Sequence, residues 1–160
     1  MKKFLAVAAT VCAAIMLSAG GVGVSSAAPI PQVSTTGNDF GMFGDHSFCR
    51  GSVRVTLDAP EKTRGIVRVT VRSHGFTGEG ASWKRNPKCR IKFASIYTRA
   101  RAYYAYKWNT VSFGPRRGET KTWDVHTGSG LVGFTVSAYS ANSPVAVPQS
   151  YGYGGYLLVS

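Results

Sequence analysis

The chain has 160 residues, 44% of them hydrophobic, and carries 19 Lys and Arg against 7 Asp and Glu for a formal net charge of +12. That length fits one domain of ordinary size with a core of its own, and no apolar run reaches the roughly 20 residues of a spanning helix. A positive field of this size attracts polyanions and speeds their encounter, and it says nothing about fold.

The N-terminus has the pattern of a secretory signal. Lys2 and Lys3 form a positive start, an apolar stretch runs from Phe4 to Leu17, and small residues lead into Val24-Ser25-Ser26-Ala27-Ala28-Pro29. Ser25 and Ala27 supply the small side chains that signal peptidase reads, which predicts cleavage after Ala27. The apolar core of about 14 residues is too short to be an anchor. Cys12 lies inside the signal, without the preceding residues of a lipid-attachment site. The expected organisation is therefore a signal peptide over 1–27, a flexible Pro-, Ser- and Thr-containing arm over 28–38, and one domain over 39–160. The expected location is extracellular, either free or associated with the cell wall.

Cleavage leaves 17 Lys and Arg against 7 Asp and Glu, a net +10, and two of the three cysteines. In an oxidising compartment Cys49 and Cys89 have one intramolecular pairing open to them. Neither sits in a CxxC pair or beside a histidine, so a structural disulfide is expected rather than a reactive thiol. Closing that loop stabilises the fold by roughly 4 kcal/mol on the chain-entropy model.

Strand patterning begins with Val53, Val55 and Leu57, which alternate with Arg54, Thr56 and Asp58. After the turn at Ala59-Pro60-Glu61-Lys62, Val67, Val69 and Val71 alternate with Arg68, Thr70 and Arg72. Period two with β-branched residues marks half-buried strands. Phe76 to Lys88 reads as a Gly-rich polar loop. The stretch Cys89–Trp108 divides into strands near 90–97 and 103–108, although Tyr97, Arg101, Tyr104 and Trp108 also fall at helical spacing. Gly114-Pro115-Arg116-Arg117-Gly118 is a turn. Strands near 121–126 and 131–139 follow, the second with Val132, Phe134, Val136 and Ala138 inward, and a last strand covers 156–159.

About seven short strands separated by turns predict an all-β, antiparallel sandwich with one disulfide. Arg117-Gly118-Glu119-Thr120-Lys121-Thr122-Trp123-Asp124-Val125, followed by Gly133-Phe134-Thr135-Val136-Ser137-Ala138, resembles the rhythm of bacterial immunoglobulin-like domains. Phe134 stands where that pattern usually has tyrosine, and a Cys49–Cys89 bridge would tie the first strand to the middle of the domain. The resemblance implies an immunoglobulin-like sandwich with a binding or scaffolding role, since fold alone does not fix function.

No catalytic, cofactor or metal motif emerges. His46, His74 and His126 are far apart, and zinc sites show at least two ligands at short spacing. Asp124 and His126 share a strand face, whereas Asp45 and His46 would point oppositely if extended. Gly128-Ser129-Gly130 reads as a hairpin turn and not as a nucleophile elbow. The expectation is no cofactor, no metal and no enzyme.

Two features point to binding. Arg54, Arg68 and Arg72 fall on the outer side of the first two strands, where guanidinium groups suit phosphate or carboxylate. The segment Arg99-Ala100-Arg101-Ala102-Tyr103-Tyr104-Ala105-Tyr106-Lys107-Trp108 interleaves cations with aromatics, the composition of grooves that stack bases or sugars. Its ordinary placement puts Tyr104, Tyr106 and Trp108 on the core side and leaves Tyr103 and Lys107 exposed. The expected function is a basic, non-enzymatic domain that binds an anionic partner: wall polymer, acidic polysaccharide, extracellular nucleic acid or anionic lipid. A secreted toxin acting on anionic membranes is the alternative, and a hydrolase stands behind it.

Overall fold

The computed structural model describes residues 37–60, 63–98, 103–150 and 152–160, together with the backbone of Gln32–Ser34. Nine strands and one helix are found among them: β1 (Gln32–Ser34), β2 (Asp39–Phe43), β3 (Arg50–Asp58), β4 (Ile66–Thr77), α1 (Gly80–Arg85), β5 (Cys89–Thr98), β6 (Tyr104–Phe113), β7 (Thr120–His126), β8 (Gly130–Tyr139) and β9 (Tyr153–Val159). The strands make two antiparallel sheets, one ordered β2-β3-β4-β7 and the other β1-β9-β8-β5-β6. The chain changes sheet after β1, β4, β6 and β7. That path sets β7 beside β4 and β8 beside β5.

Alternation decides which way each strand faces. Val53, Val55 and Leu57 on β3 and Val67, Val69 and Val71 on β4 are buried, as their period predicts. From the other sheet Ile91, Phe93, Val132, Phe134, Val136 and Leu157 meet them. Rings mesh across this core: Phe93 lies 5.8 Å from Trp123 and Phe76 stacks on Phe113 at 5.5 Å. The buried Trp123 indole N–H donates to Ser95 Oγ at 3.0 Å, so the polar handle of each side chain is satisfied between the sheets. Where β3 bulges between Gly51 and Val53 the chain needs a residue without a side chain. A Cβ on Gly51 would stand 2.6 Å from the Gly75 carbonyl oxygen.

Cys49 and Cys89 form the expected disulfide, with Cα atoms 5.7 Å apart. It joins the loop before β3 to the start of β5 and so links the two sheets.

The structure departs from the sequence expectations in three places. Residues Gly80–Arg85 wind into α1 inside the segment read as a polar loop. Six residues give too short a periodic signal to reveal a helix. Gln32–Ser34, within the expected arm, pairs with β9. That strand and β2 raise the strand number from the expected seven to nine among the described residues. The strand expected near 103–108 is present, extends to Phe113, and is laddered to β5 from Thr98↔Tyr104 to Cys89↔Phe113. The proposed signal over 1–27 lies outside the described residues.

Candidate functional site

The arginine face is not the coherent cationic patch that alternation suggests. Arg54, Arg68 and Arg72 do project from one face of the four-stranded sheet, but carboxylates stand beside Arg54 and Arg68 in register, while Arg72 ladders with Arg54 and Thr120. Arg54 makes a two-pronged contact with Asp39, Nε at 3.1 Å and Nη2 at 2.7 Å from Oδ2. Arg68 grips Asp124 through both oxygens at 2.7 and 2.9 Å, and Asp58 sits opposite it on β3. These bonds hold Asp39 and Asp124 below the ordinary carboxylate range, led by Arg54 and then His74 for Asp39 and by Arg68 for Asp124. Two of the three arginines are thus matched by bonded carboxylates, and Arg72 has no acid opposite it. The sequence hid this because the acids come from β2, β7 and the far end of β3, elements that only the fold brings alongside.

The second feature is also placed differently. Tyr103 and Tyr104 are 74% and 71% exposed, and Tyr106 and Trp108 are exposed as well. Period two does put Tyr104, Tyr106 and Trp108 on one side, but that side is the outer face of the five-stranded sheet. β6 is an edge strand whose inward positions hold Ala105, Lys107, Asn109, Val111 and Phe113. Only Val111 and Phe113 among these are large and apolar, so the core is filled chiefly by the central strands. Lys107, although on the inward side, remains exposed at the edge. Arg99 and Arg101 lie outside the described residues.

Ladder register turns this strip into one wall of a trough. Successive rows across the sheet run Tyr104–Thr98–Gly133–Tyr156, then Tyr106–Ile96–Thr135–Gly154, then Trp108–Ala94–Ser137. The floor is small or β-branched, and aromatic rings rise at its sides. Thr98 Oγ1 accepts the Gly133 N–H at 2.8 Å, which fixes the first row. Tyr106 and Trp108 stack at 6.2 Å, the Tyr139 ring meets Trp108 edge-on at 4.9 Å, and Lys92 Nζ sits 4.6 Å over the indole. Those contacts close one end. At the other end an open cleft of about 170 Å³ remains between Tyr104 and Tyr156, floored by Ile96, Thr98, Gly133 and Thr135.

None of the chain's seven carboxylates lies on the described strands of this sheet, which carry Arg90, Lys92 and Lys107. The residues that sequence reasoning missed are Tyr156, Tyr139, Lys92, Thr98 and Gly133. The absence of acids from all these strand segments was legible; the pairing that gathers them was not.

The remaining chemistry-bearing groups form no reaction centre among the described residues. Asp45 and His46, expected to diverge, are bonded instead because they sit in a tight loop: His46 Nδ1 meets Asp45 Oδ1 at 2.8 Å and Nε2 meets the Asn86 carbonyl at 3.2 Å. Both partners are acceptors, so both ring nitrogens donate, which only the imidazolium can do. Asp45 thereby raises the His46 pKa above its ordinary value, with Asn86 adding to it. Burial pushes Asp45 upward, but hydrogen bonds from His46 and the Arg90 N–H outweigh it and hold the carboxyl low. Cys49 Sγ lies near this pair, yet its sulfur is committed to the disulfide and is no thiolate ligand.

No family model, curated protein or solved structure matches the chain. No helix among the described residues is long and apolar enough to cross a membrane.

Proposed function

We propose that this is a secreted, non-enzymatic binding domain that holds an acidic glycan polymer of the cell envelope or extracellular space along the outer face of its five-stranded sheet. The observation that carries the reading is the cleft between Tyr104 and Tyr156, set in an acid-free sheet. Two tyrosines lining a cleft floored by Gly133 and by threonines suit the flat apolar faces and polar rim of a sugar ring. Large exposed aromatic surface is rare without a partner. The surplus of cations then favours a ligand bearing carboxylate or phosphate.

The strand order supports an immunoglobulin-like reading of the sandwich, with β3, β4 and β7 in one sheet and β6, β5, β8 and β9 in the other. A disulfide from the start of β3 to β5 is this chain's own variation. The sheet contributes a rigid platform, and the side chains on it contribute the recognition.

Affinity electrophoresis in gels containing heparin, polygalacturonate or neutral dextran tests the reading. The protein is retarded by the acidic polymers and not by dextran, and added salt weakens the retardation. Tyr104→Ala with Tyr156→Ala abolishes it while leaving the melting temperature unchanged. Equal mobility in all three gels, or a double variant that is still retarded, overturns it.

A further inference from the structure

The end of the sandwich where β2–β3, β4–β5, β6–β7 and β8–β9 connect has a different character from the trough. The loop Gly44–Cys49 carries two successive non-glycine residues in left-handed backbone, Ser47 at φ 56° and Phe48 at φ 47°. A bulky side chain at positive φ is a strained choice that persists only where the surroundings over-determine it. They do so here. The carbonyl of Asp45 accepts from Asn142 Nδ2, that of His46 from the Cys49 N–H at 2.9 Å, and that of Ser47 from the Glu79 N–H at 2.8 Å. The Phe48 carbonyl takes Arg50 Nη1 at 3.3 Å, and the Cys49 carbonyl takes the Gly44 N–H at 2.7 Å. With the disulfide at its foot, the loop is pinned along its length.

What this rigid loop displays is apolar. Phe48 is 78% exposed and Phe43, at its other shoulder, 55%, and together they flank an open hollow of about 460 Å³. A turn needing left-handed backbone would ordinarily use Gly or Asn. Holding phenylalanine there, ring outward, points to an anchor for something outside the chain. The β8–β9 loop, tied to this one through Asn142 and through Gln149 Oε1, which accepts the Phe43 N–H at 2.8 Å, adds exposed Val145 and Val147.

Charge says what that something is. The four connections and their flanking residues hold seven Lys and Arg and three carboxylates, a surplus of +4 before His46 is counted. All three carboxylates are occupied: Glu79 by Arg50, Asp45 by His46 and Arg90, and Glu119 by the Gly114 N–H. Lys84, Arg85 and Lys88 follow directly on the segment that grips the loop, and none has an acid within salt-bridge distance among the described residues. Protein interfaces deplete lysine, whereas protruding apolar tips within a basic collar match the acyl boundary and headgroups of an anionic bilayer.

We propose that this end of the domain docks on anionic lipid surfaces, with Phe48 and Phe43 entering the headgroup–acyl boundary and Lys84, Arg85 and Lys88 lying among the headgroups. The site is separate from the Tyr104–Tyr156 cleft and does not depend on it.

Sedimentation with phosphatidylglycerol/phosphatidylcholine vesicles, against phosphatidylcholine alone, tests this. The protein partitions onto the anionic vesicles only, and salt weakens the partition. Phe48→Asp lowers it by about tenfold or more, while Phe48→Trp shows added emission that shifts blue and is shielded from iodide when anionic vesicles are present. Unchanged disulfide content and melting temperature show that the variants are folded. Tyr104→Ala with Tyr156→Ala leaves vesicle binding intact, so loss of glycan binding and loss of lipid binding are read separately. Absence of binding to anionic vesicles, equal binding to both vesicle types, or undiminished binding by Phe48→Asp overturns the proposal.

Discussion

Arg68 and Asp124 face each other across the β4–β7 ladder and join through two hydrogen bonds of 2.7 and 2.9 Å. This pairing removes Arg68 from the pool of cations available to a polyanion, as Asp39 removes Arg54. Replacing both members of the pair, Arg68→Ala with Asp124→Ala, therefore leaves the salt concentration that elutes the protein from heparin almost unchanged. Asp124→Asn alone frees the guanidinium and raises that concentration. A clear drop for the double variant would show that Arg68 binds the polyanion despite its partner.

The titrating groups give stability a definite pH shape. Asp39, Asp45 and Asp124 have pKa values held below the ordinary 3.8, so their contribution is complete above that value and is lost as pH falls through the depressed ones. His46 is raised above 6.5; its contribution is complete below 6.5 and disappears as pH rises through the folded value. Melting temperature is expected to plateau between these limits and decline on both sides. His46→Gln flattens the alkaline decline and, because His46 also helps to hold Asp45 low, weakens the acid limb as well; a persistent alkaline limb in that variant would place its origin elsewhere.

Reducing the disulfide is expected to lower the unfolding free energy by about 4 kcal/mol, measured by denaturant titration with and without reductant. Cys49→Ser with Cys89→Ser should match the reduced protein. A difference of only a few tenths would mean that the β2–β3 loop is held by its hydrogen bonds alone.

Trp123 and Ser95 depend on one another between the sheets. Ser95→Ala leaves a buried indole N–H without its acceptor and is expected to cost about 1–3 kcal/mol. Trp123 fluorescence in the folded variant reports whether the ring has kept its place. An unchanged denaturation midpoint would mean that the indole finds another acceptor.

What the sequence revealed divides along the range of the interactions. Alternation along β3 and β4 told inside from outside because valines on one side and charges or hydroxyls on the other leave one solution, and on β8 Val132, Phe134, Val136 and Ala138 alternate with glycine and hydroxyl residues to the same effect. The pairing of Cys49 with Cys89 followed from elimination. On β6 the same period separated Tyr104, Tyr106 and Trp108 from Lys107, but both sides carry material that can be buried or wet. Its position at a sheet edge, which settles the matter, depends on strands far away in sequence. The neutralisation of Arg54 and Arg68 was hidden for the same reason: Asp39 and Asp124 join them only through cross-strand register. Short α1 and the left-handed turn at Ser47–Phe48 had no periodic signature at all.

Gly133 offers the most direct test of the binding reading, because it forms the floor of the cleft without carrying charge or aromatic surface. A Cβ there would sit 3.4 Å from the Tyr156 ring and 3.5 Å from Thr98 Oγ1, so a valine fills the space between Tyr104 and Tyr156 while every cation stays in place. Retardation of Gly133→Val by heparin or polygalacturonate should be lost, with the fold and the net charge unchanged. If the filled variant migrates as slowly as the original protein in those gels, the cleft is not where an acidic glycan is held.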